Sequence, residues 1–549
     1  MVKTKSKKKS PGGKNNQPIL SREESIAQQR KAKQAKQKLI KTIFTGLGIG
    51  ILFGMPAMAA VSPIIGLGVM LAIPTLLFCY AYPSLGLWLF LIYLPFSGTV
   101  TYWIGGGNAL FSLAKDAFYI PALFGMLREY KRKRERLPIP KNLTLTFSLS
   151  LVLAVMTLLL VNGSLQLAGS GEGVPFLQGV LGLKVLLGYV PLIVCAIYLI
   201  KTKKELLICT RLHLILAIIC CVLGVMQYLM LDSGTCVGTR NAVGEELFKA
   251  TVEAKCLVGG SVAFAPSQDM IRLPGTFPSP WHWAWFLIAN SVLTYTVAFG
   301  DPSFFWRMGG IAGMVLVFAN AVVSGQRIAL ALVPVVTIIL LVLTGQLANL
   351  KRFIPIGGLL ALALVFAISK NPDIVQERID SFQSRAEASP PQAFIEEQFR
   401  WAFESSEGFL GMGLGRATNS TRVFGKVSLV ETYYPKLIYE MGLLATLAFL
   451  FFLTNIVYVG FKNYRAVRDK NLRSLGSSLW VFVLIISYNT YWYPLDTEPV
   501  NVYYWFFAGV ILRLGEINRQ EEEKRIEAEE NDPILQKKLR RKLKKKQTA

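Results

Sequence analysis

The sequence predicts an all-α, polytopic helical membrane protein, and three observations carry that prediction. First, 52% of its 549 residues are hydrophobic and the mean hydropathy is +0.43, where soluble domains hold about 45–50% apolar residues. Second, the apolar residues gather into runs of about 17–25, the length a helix needs to cross a hydrocarbon core roughly 30 Å thick. Runs around 151–161, 311–323 and 328–343 are examples. In lipid, a helix satisfies each backbone polar group within its own segment. Third, lysine and arginine cluster at 3–41, 131–136, 201–204, 351–352, 462–473 and 537–546, beside those runs. That is the pattern of cytoplasmic loops under the positive-inside rule. A net charge of +25 arranged in this way addresses anionic membrane lipids as partners, and no nucleic acid.

The elements follow in order. Residues 1–38 are Lys-rich and poor in large apolar groups, which predicts a disordered or weakly helical cytoplasmic tail. Ala57-Met58-Ala59 resembles a signal-peptidase site, but so long a leader argues for a retained helix. About fourteen spans are expected within a transmembrane domain at 39–515. They start near Ile40, Ile64, Leu85, Leu110, Leu143, Phe176, Leu206, Trp281, Phe304, Ile328, Phe353, Leu437, Leu475 and Val500. The third is short enough for a re-entrant segment. With the N-terminus cytoplasmic, even-numbered spans end inside, and so does the charged tail at 516–549. Two larger loops then face outside, at about 232–280 and 371–434.

Seven cysteines include no C-x-x-C pair, so zinc and redox motifs are unsupported. Five lie in or beside apolar runs and read as small apolar residues. Cys236 and Cys256 share an external loop, where a disulfide is allowed; spacing alone leaves their pairing open.

The chain lacks a G-x-x-x-x-G-K-[ST] phosphate loop, an H-E-x-x-H metal motif and a G-x-S-x-G elbow, and its only histidines are His213 and His282. No metal or cofactor is therefore expected. What remains is a supply of external arginines. Arg327 ends Ser324-Gly325-Gln326-Arg327 at the mouth of a hairpin between two spans. A guanidinium so near hydrocarbon costs roughly 3 kcal/mol on insertion scales and is a functional hypothesis by default; the alternative is a snorkelling anchor. Arg272 opens Arg272-Leu273-Pro274-Gly275-Thr276-Phe277 before a span, and Arg400 and Arg416 lie in the second loop. Arginine suits phosphate because its rigid fork donates two parallel hydrogen bonds. Gly411-Met412-Gly413-Leu414-Gly415 reads either as a flexible loop or as backbone N–H groups open to an anion. Glu431 stands where a span begins, as a candidate base or as a carboxylate favoured by the helix dipole. Asp496 and Glu498 form a second external carboxylate pair. His282 between Trp281 and Trp283 reads as an interfacial belt or a sugar contact.

The order of these motifs resembles the O-antigen ligase and polymerase superfamily: Arg-x-x-Gly-Thr-Phe before a span, Ser-Gly-x-Arg between two spans, and a long loop ending Gly-x-Gly-x-Gly. Members often carry His-Asn-x-Tyr-Leu-x-x-Leu-x-Glu-x-Gly next. The matching stretch is Glu431-Thr432-Tyr433-Tyr434-Pro435-Lys436-Leu437-Ile438-Tyr439-Glu440-Met441-Gly442. Tyr434, Glu440 and Gly442 agree with that pattern. Glu431 stands where ligases have His, a departure that polymerase-like members share. The resemblance covers about residues 270–460. It implies a metal-independent, inverting glycosyltransferase of the bacterial inner membrane, with a polyprenyl-diphosphate-linked glycan as substrate and other polysaccharide-export proteins as partners. In that scheme Arg327 and Arg272 clamp the diphosphate, Arg400 or Arg416 closes over it, and Glu431 is the base. The competing classes are ligase-like transfer to a lipid or protein acceptor, a small-anion transporter and a structural membrane subunit.

Overall fold

The computed structural model describes residues 22–108, 111, 113–169, 172–243, 251–265, 270–346, 389–406 and 408–530, with isolated positions between 358 and 387. The protein is an all-α, multi-pass membrane protein. Ten helices among the described residues are long and apolar enough to cross a membrane.

In chain order the helices are α1 (Arg22–Ala60), α2 (Pro63–Ala81), α3 (Pro83–Tyr93), α4 (Asp116–Lys133), α5 (Lys141–Thr157), α6 (Pro175–Leu187), α7 (Leu192–Leu199) and α8 (Lys203–Asp232). Then come α9 (Pro280–Gly300), α10 (Phe304–Val323), α11 (Arg327–Leu343), α12 (Pro391–Ser405), α13 (Tyr433–Ala466), α14 (Lys470–Tyr488) and α15 (Val500–Glu530). Their starts follow local chemistry. Proline at the first helical position begins α2, α3, α6 and α9, where its missing N–H costs nothing. Thr202 and Glu205 form a capping box at α8, and Asp469 accepts from Leu472 N–H at 2.9 Å to start α14.

Ten of the fourteen expected spans match those ten helices, and the other four stand as follows. The run near Leu110 yields α4, which begins with Asp116 and ends with Lys131, Arg132 and Lys133. Such charge density keeps it out of the apolar set. Helix α11 is apolar and, at 17 residues, stands at the short end of spanning length. In α15 the apolar half is diluted by Asn501, Arg513 and Glu516, and the helix runs on into the charged tail. The span expected from Phe353 lies outside the described residues.

Helix α9 is the central post, buried along nearly its whole length and packed against α8, α10, α11 and α14. Helices α13 and α5 pair with each other, and α13 also packs on α14 and α15. At the periphery α1 and α2 pack on each other and expose Phe44, Leu52, Met55 and Leu71, faces that only lipid can cover at low cost.

The connections 200–202, 301–303 and 467–469 are short and lie at one end of the bundle. The opposite end carries the two large loops. The first holds the Cys236–Cys256 disulfide and an antiparallel pair of strands, β1 (Ala263–Ala265) and β2 (Met270–Arg272). The second contributes α12 and a glycine-rich turn. Helix α13 is broken at Gly442, which adopts φ +78; a Cβ there would lie 2.2 Å from the carbonyl oxygen of Phe409. The turn docks on that break. Met412 N–H donates to Tyr439 O at 2.8 Å, Gly413 N–H to Glu440 O at 3.0 Å and Leu414 N–H to Asn162 Oδ1 at 2.9 Å. The glycines thus allow close backbone packing, and these N–H groups are engaged by the protein instead of being open to an anion.

Candidate functional site

At the loop-bearing end a cavity of about 420 Å³ opens between the start of α9, the turn after the glycine-rich stretch and the last loop. Its walls include Trp281, His282, Thr418, Asn419, Tyr493 and Asp496. Pro280 starts α9 with Ser279 as its N-cap, which brings Trp281 and His282 to the mouth of that helix. Ser279 Oγ lies 2.6 Å from His282 Nδ1, and Trp281 donates its indole N–H to Thr497 Oγ1 at 3.2 Å. The Trp281 and Tyr493 rings stand 5.6 Å apart, and Asn419 Nδ2 donates to the Tyr493 hydroxyl at 3.2 Å.

Two buried polar networks hold this cavity. In the first, Lys436 on α13 is ion-paired with Asp496. One turn further on, buried Glu440 accepts Ala417 N–H at 2.7 Å and Thr418 Oγ1 at 2.9 Å. Lys436 and Glu440 therefore tie the last loop and the cavity-lining turn to one helix. In the second, Glu498 receives Lys115 Nζ at 2.9 Å and the Tyr189 hydroxyl at 3.0 Å. Tyr189 also reaches Asp116, at 3.4 Å, and Asp116 pairs with Lys184 at 2.8 Å. Burial alone would raise the Glu498 carboxyl, but the ammonium groups of Lys115 and Lys184 hold it below its ordinary value.

Glu431 does not line the cavity; the next residue, Thr432, bridges to Tyr491 and Trp492, beside the lining Tyr493. Glu431 precedes Thr432, the N-cap of α13, so it lies outside the helix's first turn, where a dipole-stabilised carboxylate would sit. Its N–H donates to Gln398 Oε1 on α12 at 3.2 Å. Tyr493 is pushed up by burial and then by the Glu431 carboxylate, with Asn419 and Arg422 opposing, which puts Glu431 and Arg422 within electrostatic reach of the cavity wall. Among the described residues the Glu431 side chain has no hydrogen bond or ion pair, while Asp496, Glu498 and Glu440 are each engaged.

The four arginines singled out by sequence divide between places. Arg272 and Arg327 lie on adjoining segments: Leu273 N–H donates to Ser324 O at 3.0 Å, and the missing Cβ of Gly325 (φ +68) would fall 2.1 Å from Ile271 O and 3.4 Å from Arg272 Cα. Both are half-buried. Arg272 Nε is buried without a hydrogen-bond partner, and burial lowers its pKa. Neither lines the 420 Å³ cavity. Arg416 sits one residue before the lining turn and donates Nη1 to Met412 O at 3.2 Å. Arg400 is exposed on α12, paired with Glu396 at 3.2 Å. Arg-Leu-Pro-Gly-Thr-Phe has structural duties too. Gly275 (φ +55) lies against the Trp283 ring, and Thr276 Oγ1 donates to Pro95 O at 2.5 Å.

Sequence reasoning gave no site role to Lys436, Lys184, Tyr189, Arg422 and Tyr493, and took Glu440 only as a motif match. A signal existed for three of them: Lys184, Lys436 and Glu440 interrupt otherwise apolar runs, and ionisable groups there mark functional or tightly paired positions. No group of three or more His, Cys, Asp or Glu suited to a metal occurs among the described residues. Fold and site define a multi-pass helical membrane protein with a polar, aromatic-walled cavity at its loop-bearing end. No family model matches the chain, and no curated protein matches it.

Proposed function

We propose that the chain is a membrane glycosyltransferase of the polymerase type, joining polyprenyl-diphosphate-linked oligosaccharide units at the outer face of a bacterial inner membrane. The observation that carries this reading is the cavity itself: about 420 Å³, walled by Trp281, Tyr493 and hydrogen-bonding side chains, with Glu431 outside the lining but next to Thr432, which bridges to Tyr491 and Trp492. Aromatic faces and amide or hydroxyl groups are what a sugar ring recognises, and the volume is that of an ordinary small-molecule site. The loop-bearing end is the outer end in this reading, because the basic residues of 131–136, 201–204 and 462–473 gather at the other one, with both termini cytoplasmic.

In the reaction an acceptor hydroxyl passes its proton to Glu431 as its oxygen bonds to the anomeric carbon. The bond from that carbon to the diphosphate breaks, and its electron pair leaves on the diphosphate oxygen. One displacement inverts the anomeric configuration. Proton transfer to a positioned carboxylate supplies about 10²–10⁴-fold, and fixed guanidinium groups stabilise the leaving charge. Arg272 and Arg327, half-buried on adjoining segments, suit that second role. Arg422, beside Tyr493, and Arg416 are nearer the cavity. Arg400 joins them only by leaving Glu396.

The test is the polysaccharide profile of cells lacking the protein, complemented with wild type, Arg327→Ala or Glu431→Gln at matched membrane levels. The expected result is loss of long polymer with single repeat units accumulating on the lipid carrier, rescued by wild type alone. Long polymer that fails to reach its acceptor would instead identify ligase-like transfer. An unchanged profile would overturn glycosyl transfer and leave the anion transporter in its place.

A further inference from the structure

A second polar cavity, of about 510 Å³, lies at the opposite, basic end of the molecule. It is bounded by the end of α4 and the segment after it, the end of α7 and the middle of α15. Four cationic side chains, Lys133, Arg136, Lys201 and Arg513, face two carboxylates, Glu129 and Glu135. One of those carboxylates is already engaged, since Glu129 accepts the Tyr198 hydroxyl at 2.8 Å. Lys201 Nζ rests 4.8 Å above the centre of the Tyr198 ring, which orients its charge from that wall. The cavity therefore presents a net cationic interior with apolar walls from Pro138 and Ile197.

A plainer account covers part of this set. Lys133 and Lys201 stand at or just beyond helix C-termini, where cations offset the partial negative charge of the last carbonyls. Arg513 does not fit that account. It projects from the middle of α15, far from either end, and its Nε is buried without a hydrogen-bond partner. A buried guanidinium donor without an acceptor is left desolvated and unpaired, which is unfavourable. Arg136, on the segment after α4, faces the same hollow without belonging to a helix end.

We infer that this cavity is a binding site for a phosphate group, borne either on the headgroup of an anionic membrane lipid or on a small phosphorylated solute. A phosphate supplies the oxygen acceptors that the Arg513 and Arg136 forks are built to meet. Its charge balances the excess of cations, and the volume falls within the roughly 300–1,000 Å³ of ligand pockets. Basic pockets between spans on the cytoplasmic side are where lipid headgroups are held. The site is separate from the loop-bearing end and does not depend on glycosyl transfer.

The experiment titrates the delipidated full-length protein in neutral detergent with phosphatidylglycerol, with phosphatidylcholine and with inorganic phosphate. Arg513→Gln, Arg136→Gln and the control Lys131→Gln are titrated in parallel. Lys131 is exposed in the same basic turn but does not line the cavity. Loss of one charge-assisted contact weakens binding about ten-fold, expected for Arg513→Gln and Arg136→Gln and absent in Lys131→Gln. Tight phosphatidylglycerol binding with weak inorganic phosphate assigns the group to a lipid, and comparable affinity for inorganic phosphate assigns it to a soluble ligand. Equal weakening by Lys131→Gln, equal affinity for phosphatidylcholine, or no binding of either anion would overturn the site. Arg136 is exposed, so Arg136→Gln keeps the test decisive should Arg513→Gln fail to fold.

Discussion

Two ion pairs at opposite ends of the bundle, Lys203–Asp469 and Lys436–Asp496, differ in how deeply they are buried. At the basic end, connections are short and one ion pair lies near the surface: Lys203 and Asp469 meet at 2.6 Å with side chains 19% and 28% exposed, while Arg211 pairs at 2.8 Å with a buried Asp301. At the loop-bearing end the pairs lie beneath a cavity, and the side chains of Lys436 and Asp496 are 3% and 8% exposed. Desolvating two charges costs several kcal/mol per ion before their attraction repays it. A surface pair bears little of that cost and contributes about 0–1 kcal/mol. The contrast teaches where to look for function. A partly exposed pair such as Lys203–Asp469 needs no special reason, whereas the buried charge of Lys436 and Asp496 does, and holding the last loop and the 417–420 turn in place supplies one.

The comparison is sharpened most by Lys436→Met. Removing one partner of a buried pair leaves Asp496 uncompensated, and a loss of about 3–5 kcal/mol is expected, read by thermal unfolding of the purified protein. The double variant Lys436→Met/Asp496→Leu should recover much of it; if both lose equally, the pair is not the cause. Next comes the first loop. Cys236→Ser with Cys256→Ser opens a closed loop spanning 20 residues, worth about 2–4 kcal/mol. The same readout applies, and wild type in reductant should match the variant. The smallest effect is expected at the other end, where Asp469→Asn should cost about 1 kcal/mol or less. A loss as large as that of Lys436→Met would erase the contrast between the two pairs.

Much of the architecture was legible beforehand. Helix starts near Ile40, Ile64, Leu143, Phe176, Leu206, Trp281, Phe304, Leu437 and Leu475 all fall close to observed spans, because apolar run length is a local property. Arg272 and Arg327 were visible as arginines beside spans, and their segments do adjoin. Less legible was what surrounds them. Gly411, Gly413 and Gly415 read as a mobile loop or an anion cradle until the break at Gly442 supplied the surface they dock on. The Glu396 partner of Arg400 at i−4 was not singled out either. Asp496 and Glu498 read as one pair, yet they belong to two separate networks, since adjacent loop residues face different neighbours.

The amino-acid sequence by itself determined that this chain is a helical, multi-pass membrane protein with clustered basic connections and two larger loops, because hydropathy and charge act on each segment independently. Only the tertiary structure decided which carboxylates are engaged, how the arginines divide and where the cavity opens. Those outcomes depend on residues hundreds of positions apart meeting at one end of a bundle. Lys115 meets Glu498, and Asn162 meets Leu414, through packing that no local pattern encodes.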